Sequence, residues 1–126
     1  MNKKPFSIRK RLESFRHAFR GIARVVKEEH NFRIHLVIAF LAIAAGFLLN
    51  ISPAEWLIII LISGLVLVSE ILNSAIEQVC DIIIPGEDPR IKNIKDIMAA
   101  AVLISSILAV IIGLIIFLPR ILVFIL

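Results

Sequence analysis

The stretch Trp56-Leu-Ile-Ile-Ile-Leu-Ile-Ser-Gly-Leu-Val-Leu-Val-Ser-Glu70-Ile-Leu-Asn73-Ser-Ala-Ile-Glu77-Gln-Val-Cys-Asp81 decides the fold. From Trp56 to Ser69 it is almost unbroken hydrocarbon, and with the residues from Glu70 onward it is long enough to cross a bilayer as one helix. At about 100° per helical residue, Glu70, Asn73, Glu77 and Asp81 project within a narrow arc of one face. Three carboxylates and an amide on one stripe of such a helix are costly to keep. Groups of this kind mark sites where something charged is bound or moved.

The rest of the chain agrees with a membrane reading. Of its 126 residues, 60% are hydrophobic, against about 45–50% in ordinary soluble domains. The mean hydropathy is +0.98. A soluble fold of this size could not hide so much Ile, Leu and Val, so one membrane domain over residues 1–126 is expected. The net charge of +4 does not point to nucleic acid. Ten of the fourteen Lys and Arg residues fall between Lys3 and Arg33, just ahead of the first apolar run, a placement that fits an anionic membrane leaflet. The same segment lacks the aromatic and glycine pattern of an RNA-binding module. A single cysteine, Cys80, excludes an intrachain disulfide and a cysteine metal cluster. No cleavable signal sequence is expected, because the first long apolar run starts some thirty residues in, with no small-residue cleavage pattern after it.

Upstream, Ile8, Leu12, Phe15, Phe19, Ile22 and Val26 recur at spacings of three and four among Lys and Arg. This predicts an amphipathic helix over residues 7–29 lying in the membrane interface. A first span is predicted over 34–49. The sequence Asn50-Ile-Ser-Pro-Ala-Glu55 breaks it, with Ser52 placed to cap the next helix. A second span is predicted over 56–84, ended by Pro85-Gly86-Glu-Asp-Pro89. A third is predicted over 94–117, ahead of Pro119. The expected fold is all-α and membrane-integral: a surface helix plus three transmembrane helices.

The loop at 50–55 has no Lys or Arg, whereas the segment at 85–95 carries Arg90, Lys92 and Lys95. The positive-inside rule puts that segment and the N-terminus in the cytoplasm. With entry at Trp56, Glu70 lies roughly 21 Å into a hydrocarbon layer ~30 Å thick, and Glu77 about 31 Å along. The polar stripe therefore climbs from the inner leaflet to the cytoplasmic interface.

Other charged residues reach the same level: Glu28, Glu29 and Arg33 before the first span, and Lys95 and Asp96 opening the third helix. Glu29, Glu77, Asp81 and Asp96 with Lys95 and Arg33 have the composition of a Mg²⁺-nucleotide site. Mg²⁺ takes a few carboxylates plus phosphate oxygens and water, and a lysine supplies a point charge for phosphate. Glu70, the deepest, is placed to act as a general base. No G-x-x-x-x-G-K-[ST] and no Gly-rich kinase loop is present. His17, His30 and His35 show no metal-ligand spacing, and interfacial or hydrogen-bonding roles are expected of them. Ser74 has no base at helical spacing and reads as a packing residue. Gly64 and Gly113, with Ser63, Ser105 and Ser106, are expected to permit close helix contacts within or between subunits.

At these residues the chain resembles the small prokaryotic diacylglycerol kinases and the closely related undecaprenol kinases. The resemblance rests on Glu70-Ile-Leu-Asn73-Ser-Ala-Ile-Glu77, on Asp81, and on Lys95-Asp96 followed by Ala99-Ala-Ala-Val102. It extends upstream to Glu29 and Phe32-Arg33, and covers about Lys10 to Ile115. It implies a homotrimeric enzyme of the bacterial cytoplasmic (inner) membrane that transfers the γ-phosphate of ATP to a lipid hydroxyl. By the same resemblance Glu70 is the catalytic base and Asn73 orients the reacting groups. Glu29 and Glu77 hold Mg²⁺. Lys95 and Asp96 contact the nucleotide, with Asp81, Lys10, His17, Glu87 and Asp88 nearby.

A proton or ion channel lined by Glu70 and Glu77 would need polar groups across the full depth. The segments Trp56 to Ser63 and Leu108 to Phe117 are nearly pure hydrocarbon, which weighs against transport. A non-catalytic adaptor would not need these groups in one layer. Between lipid acceptors, the octet Glu70–Glu77 looks like the diacylglycerol branch. Diacylglycerol is therefore the expected acceptor and undecaprenol the alternative.

Overall fold

The computed structural model describes residues 4–126; Lys3, at the start of the basic segment, lies outside them. Four helices make up the described chain: α1 (Ile8–Glu28), α2 (His30–Leu48), α3 (Pro53–Ile83) and α4 (Pro89–Ile125). The last three are long and apolar enough to cross a membrane. α4 packs chiefly on α3, and α2 lies against the pair.

α1 starts at Ser7, whose hydroxyl accepts from the Lys10 amide at 3.5 Å. Its apolar stripe, Ile8, Leu12, Phe15 and Phe19, stays exposed. One residue then turns α1 into α2. Glu29 leaves the helical region (φ −102°, ψ 109°), while its amide still donates to Val25 O at 2.8 Å. Arg33 fastens this elbow. Its Nη1 donates to the carbonyls of Val26 (3.2 Å) and Lys27 (2.9 Å), among the groups that a helix end leaves without partners. Its charge also suits the negative end of the helix dipole. Val25 and Phe32 are buried on either side of the bend.

At the opposite end of α2 the chain turns through a Schellman arrangement. Asn50 takes the left-handed conformation (φ 48°), which Asn tolerates, and the Ile51 amide bonds Gly46 O at 3.2 Å. Ser52 caps α3 with Pro53 at the first turn, as the sequence predicts, and Glu55 completes a capping box with it. Ile51, Ile59 and Ile116 make the core here, flanked by Ala42, Trp56, Ile112 and Phe117.

Gly46 is the glycine that this packing requires. A Cβ there would stand 2.7 Å from the Trp56 ring, which itself lies 4.8 Å from the Phe47 ring, centroid to centroid. Gly64 and Gly113 play no such part inside the chain, since an added Cβ would meet nothing within 4 Å at either.

The helix limits correct the expected spans. α2 is helical from His30 rather than 34. α4 begins at Pro89, with Asp88 as its cap, rather than at 94. Pro119 does not end α4, which runs on to Ile125. Proline is tolerated inside helices that span lipid. Arg120 Nη1 donates to Ile116 O at 2.8 Å, and its Nη2 reaches Glu55 Oε2 at 2.8 Å. That ion pair ties α4 to the start of α3.

Candidate functional site

The polar layer is built where the elbow meets the second half of α3 and the start of α4. α3 presents Glu70, Asn73, Glu77 and Asp81 on its stripe. Glu70 is only 4% exposed, in keeping with its depth on the apolar helix. Its Oε1 lies 3.1 Å from His35 Nε2 on α2. The carboxylates of Glu29, at the elbow, and Glu77, two turns on, lie within electrostatic range of it. An ionised group buried this far needs a partner, and His35 is the one in contact.

Asn73 points its amide nitrogen at Glu77 Oε1, 3.4 Å away, and its Oδ1 is buried with no hydrogen-bond partner. A buried carbonyl oxygen in that state costs free energy until a ligand or water donates to it. Nearer the chain turn, Asp81 Oδ1 pairs with Lys95 Nζ at 2.7 Å, joining α3 to α4. Asp96 pairs instead with Lys92 at 2.6 Å on the exposed side of α4. Asp88 caps α4 and is gripped by Arg90, with Oδ1 accepting from the Arg90 amide at 2.8 Å and Oδ2 from its Nη2 at 2.9 Å. That guanidinium holds the Asp88 carboxyl below the usual carboxylate range. Glu87 stands beside it in the turn.

The chain thus brings together Glu29, Glu70, Asn73, Glu77, Asp81 and Lys95, with Asp96, Glu87 and Asp88 around the rim. It does not bring Lys10 and His17 to them. Both are exposed, and along α1 they stand roughly 28 Å and 18 Å from Glu29. Lys10 lines a separate surface hollow with Phe6, Arg11 and Ser14. Sequence reasoning missed one contributor: the contact of His35 with Glu70 carries no spacing signal and is identified only by the packing. It also placed Arg33 in the charged cluster, whereas the guanidinium is spent on the elbow.

The residues fit Mg²⁺. No preformed group of three or more acidic, His or Cys ligands exists among the described residues. Two carboxylates, Glu29 and Glu77, and the unpartnered Asn73 oxygen are hard oxygen donors, and a Mg²⁺ brought with phosphates needs few protein ligands.

From His35 an apolar crevice of about 450 Å³ runs between α2, α3 and α4, past Ala42, Ser63 and Ser106 to Phe117 and Ile121. From Ser106 to Ile121 it extends about 22 Å along α4.

A family model described as prokaryotic diacylglycerol kinase matches residues 16–117. An undecaprenol kinase of Bacillus subtilis is 42% identical over 108 residues, covering 86% of this chain and 88% of that protein. A diacylglycerol kinase of Synechocystis sp. is 37% identical over 112 residues, 88% of this chain and 64% of its own length. A diacylglycerol kinase of Pseudomonas aeruginosa is 37% identical over 90 residues, 71% of this chain and 68% of its own.

Proposed function

The chain belongs to the prokaryotic diacylglycerol kinase family, and from that premise we propose that it phosphorylates undecaprenol with ATP. It is a membrane lipid kinase, and the finer question is the acceptor. The observation that carries the proposal is the 42% identity to an undecaprenol kinase across nearly the whole of both chains. It favours the alternative over the diacylglycerol expected from the Glu70–Glu77 octet. The physical reason is that those residues serve the hydroxyl and the phosphate, so they carry no information about the tail. The crevice is consistent with the same reading. Its apolar lining and ~22 Å reach along α4 from Ser106 suit a lipid tail of either acceptor.

In this reading the reaction is carried by the Glu70 layer, at the cytoplasmic side of a bacterial inner membrane with the N-terminus inside. Glu70 accepts the proton of the lipid hydroxyl as the hydroxyl oxygen attacks the γ-phosphorus and ADP departs. Asn73, with a free Oδ1 and its amide on Glu77, orients the hydroxyl. Glu29 and Glu77 would hold Mg²⁺, which when bound neutralises charge on the phosphates. Lys95 and Asp96 face the nucleotide, with Asp81 setting Lys95 and the Glu87–Asp88 turn bordering it. Such chemistry needs positioning and charge neutralisation more than covalent intermediates. The reading includes a homotrimer, and cross-linking in bilayers counts its subunits.

The deciding experiment is a side-by-side assay of purified protein in bilayers with ATP and either undecaprenol or diacylglycerol. A kcat/KM at least about tenfold higher for undecaprenol, a difference of ~1.4 kcal/mol in transition-state stabilisation, is expected. The reverse preference would overturn the acceptor assignment and leave the kinase intact.

A further inference from the structure

His35 lies outside every motif that marks the reaction, yet its ring makes the contact that holds Glu70. α2 and α3 pack so that His35 Nε2 stands 3.1 Å from Glu70 Oε1. The other charged groups that face Glu70 are Glu29 from the elbow and Glu77 from α3, both carboxylates that repel it. α4 offers nothing charged at this level, because no Asp, Glu, Lys or Arg occurs between Asp96 and Arg120. Arg33, the nearest permanent cation in sequence, has its Nη1 committed to the carbonyls of Val26 and Lys27. A Glu side chain has several rotamers, and two like charges nearby push it away from the layer.

We propose that His35 is the positioning residue of Glu70. With hydrogen on Nε2, its ring fixes Oε1 and so orients Oε2 toward the acceptor hydroxyl. The inference rests on the reading of Glu70 as the base. It assigns His35 no contact with substrate. The ring also forms one end of the apolar crevice, so the carboxylate is anchored from the side on which a lipid tail would lie.

The test compares wild type, His35→Leu, His35→Gln, Glu70→Gln and the His35→Leu/Glu70→Gln double variant in bilayers, with ATP and whichever lipid alcohol wild type uses. Leu fills the ring's space without a donor, and Gln restores an N–H at similar reach. His35→Leu is expected to lower kcat about 30-fold, with KM for ATP and lipid within roughly twofold, because a misplaced reacting group costs up to about 10²-fold. His35→Gln should keep kcat within about fivefold of wild type. In the Glu70→Gln background, adding His35→Leu should change the residual rate less than about twofold, since residues that act as a unit are not additive. A His35→Leu enzyme with wild-type kcat beside an inactive Glu70→Gln would overturn the inference and leave the base standing. Equal losses in the Leu and Gln variants, each with lowered thermal stability, would assign His35 to packing and overturn it too. An active Glu70→Gln would remove the base reading itself and this inference with it.

Discussion

The two ends of the bundle are built on opposite principles. At the Trp56 end the polar groups have partners: Ser52 and Glu55 cap each other's backbone, Glu55 pairs with Arg120, and Arg120 also covers the Ile116 carbonyl. Ile51, Ile59 and Ile116 are buried there, and the Trp56 ring closes over Gly46. At the Glu70 end a carboxylate is almost wholly buried against a single imidazole, two further carboxylates lie within electrostatic range, and a buried amide oxygen has no partner. One end is closed by its own contacts; the other keeps a buried polar atom without one. On the proposed reading, stability and chemistry are separated along the helices. Substitutions at the two ends should divide the same way, into losses of folding and losses of rate.

The largest effect should come from Glu70→Gln. General base catalysis contributes about 10²–10⁴-fold, so kcat should fall about 10³-fold. Thermal stability should hold or rise, because a buried carboxylate is replaced by a neutral amide. A thermal melt beside a phosphoryl-transfer assay checks both halves, and lost stability with retained rate would erase the contrast. Glu77→Gln comes next. Removing one of two hard carboxylates should raise the Mg²⁺ concentration for half-maximal activity about tenfold, equivalent to ~1.4 kcal/mol. A Mg²⁺ titration of the variant reads it directly, and an unchanged midpoint would remove Glu77 from the metal site.

Gly46→Ala tests the other end. The new Cβ would stand 2.7 Å from the Trp56 ring, and overpacking a closed site costs about 1–3 kcal/mol. The melting temperature should fall by several degrees while kcat at low temperature stays within about twofold of wild type, since the substitution leaves the Glu70 layer untouched. The same substitution at Gly64 or Gly113, where a Cβ meets nothing in the chain, should leave the isolated subunit's packing alone. Loss of assembly in either variant would place that glycine at a subunit contact.

The same division explains what was legible in the sequence. The stripe Glu70–Asp81, the cap at Ser52 and the three long helices follow from periodicity and local hydrogen-bonding rules, and these are short-range. The stop expected at Pro119 fails because proline's effect on a helix depends on its surroundings, and helices that span lipid tolerate it. Gly46 was not singled out, because its importance lies in a ring ten residues away across a turn. His35 escaped because a lone His on an apolar helix carries no spacing signal; only the packing of α2 on α3 gives it a partner. Lys10 and His17 show the converse case. A resemblance names their positions, but a continuous α1 carries both away from the cluster of their own chain.

The smallest expected effect lies at the rim, where Asp88 caps α4. Arg90 holds its carboxyl below the usual range, through the side-chain bonds first and the backbone amide second. A carboxyl with a depressed folded value stabilises the cap fully above its unfolded value of about 4, and the contribution is lost as pH falls through the folded value. Asp88 is bonded within the first turn of α4, so the effect should remain local. The first turn of α4, read by amide exchange at Arg90–Lys92, should fray below about pH 4. Asp88→Asn should move fraying little at neutral pH, because Asn caps nearly as well, but should abolish its acid dependence. If the wild-type turn frays equally at about pH 3 and pH 7, on either side of the carboxyl range, the Arg90 clamp contributes nothing to the rim.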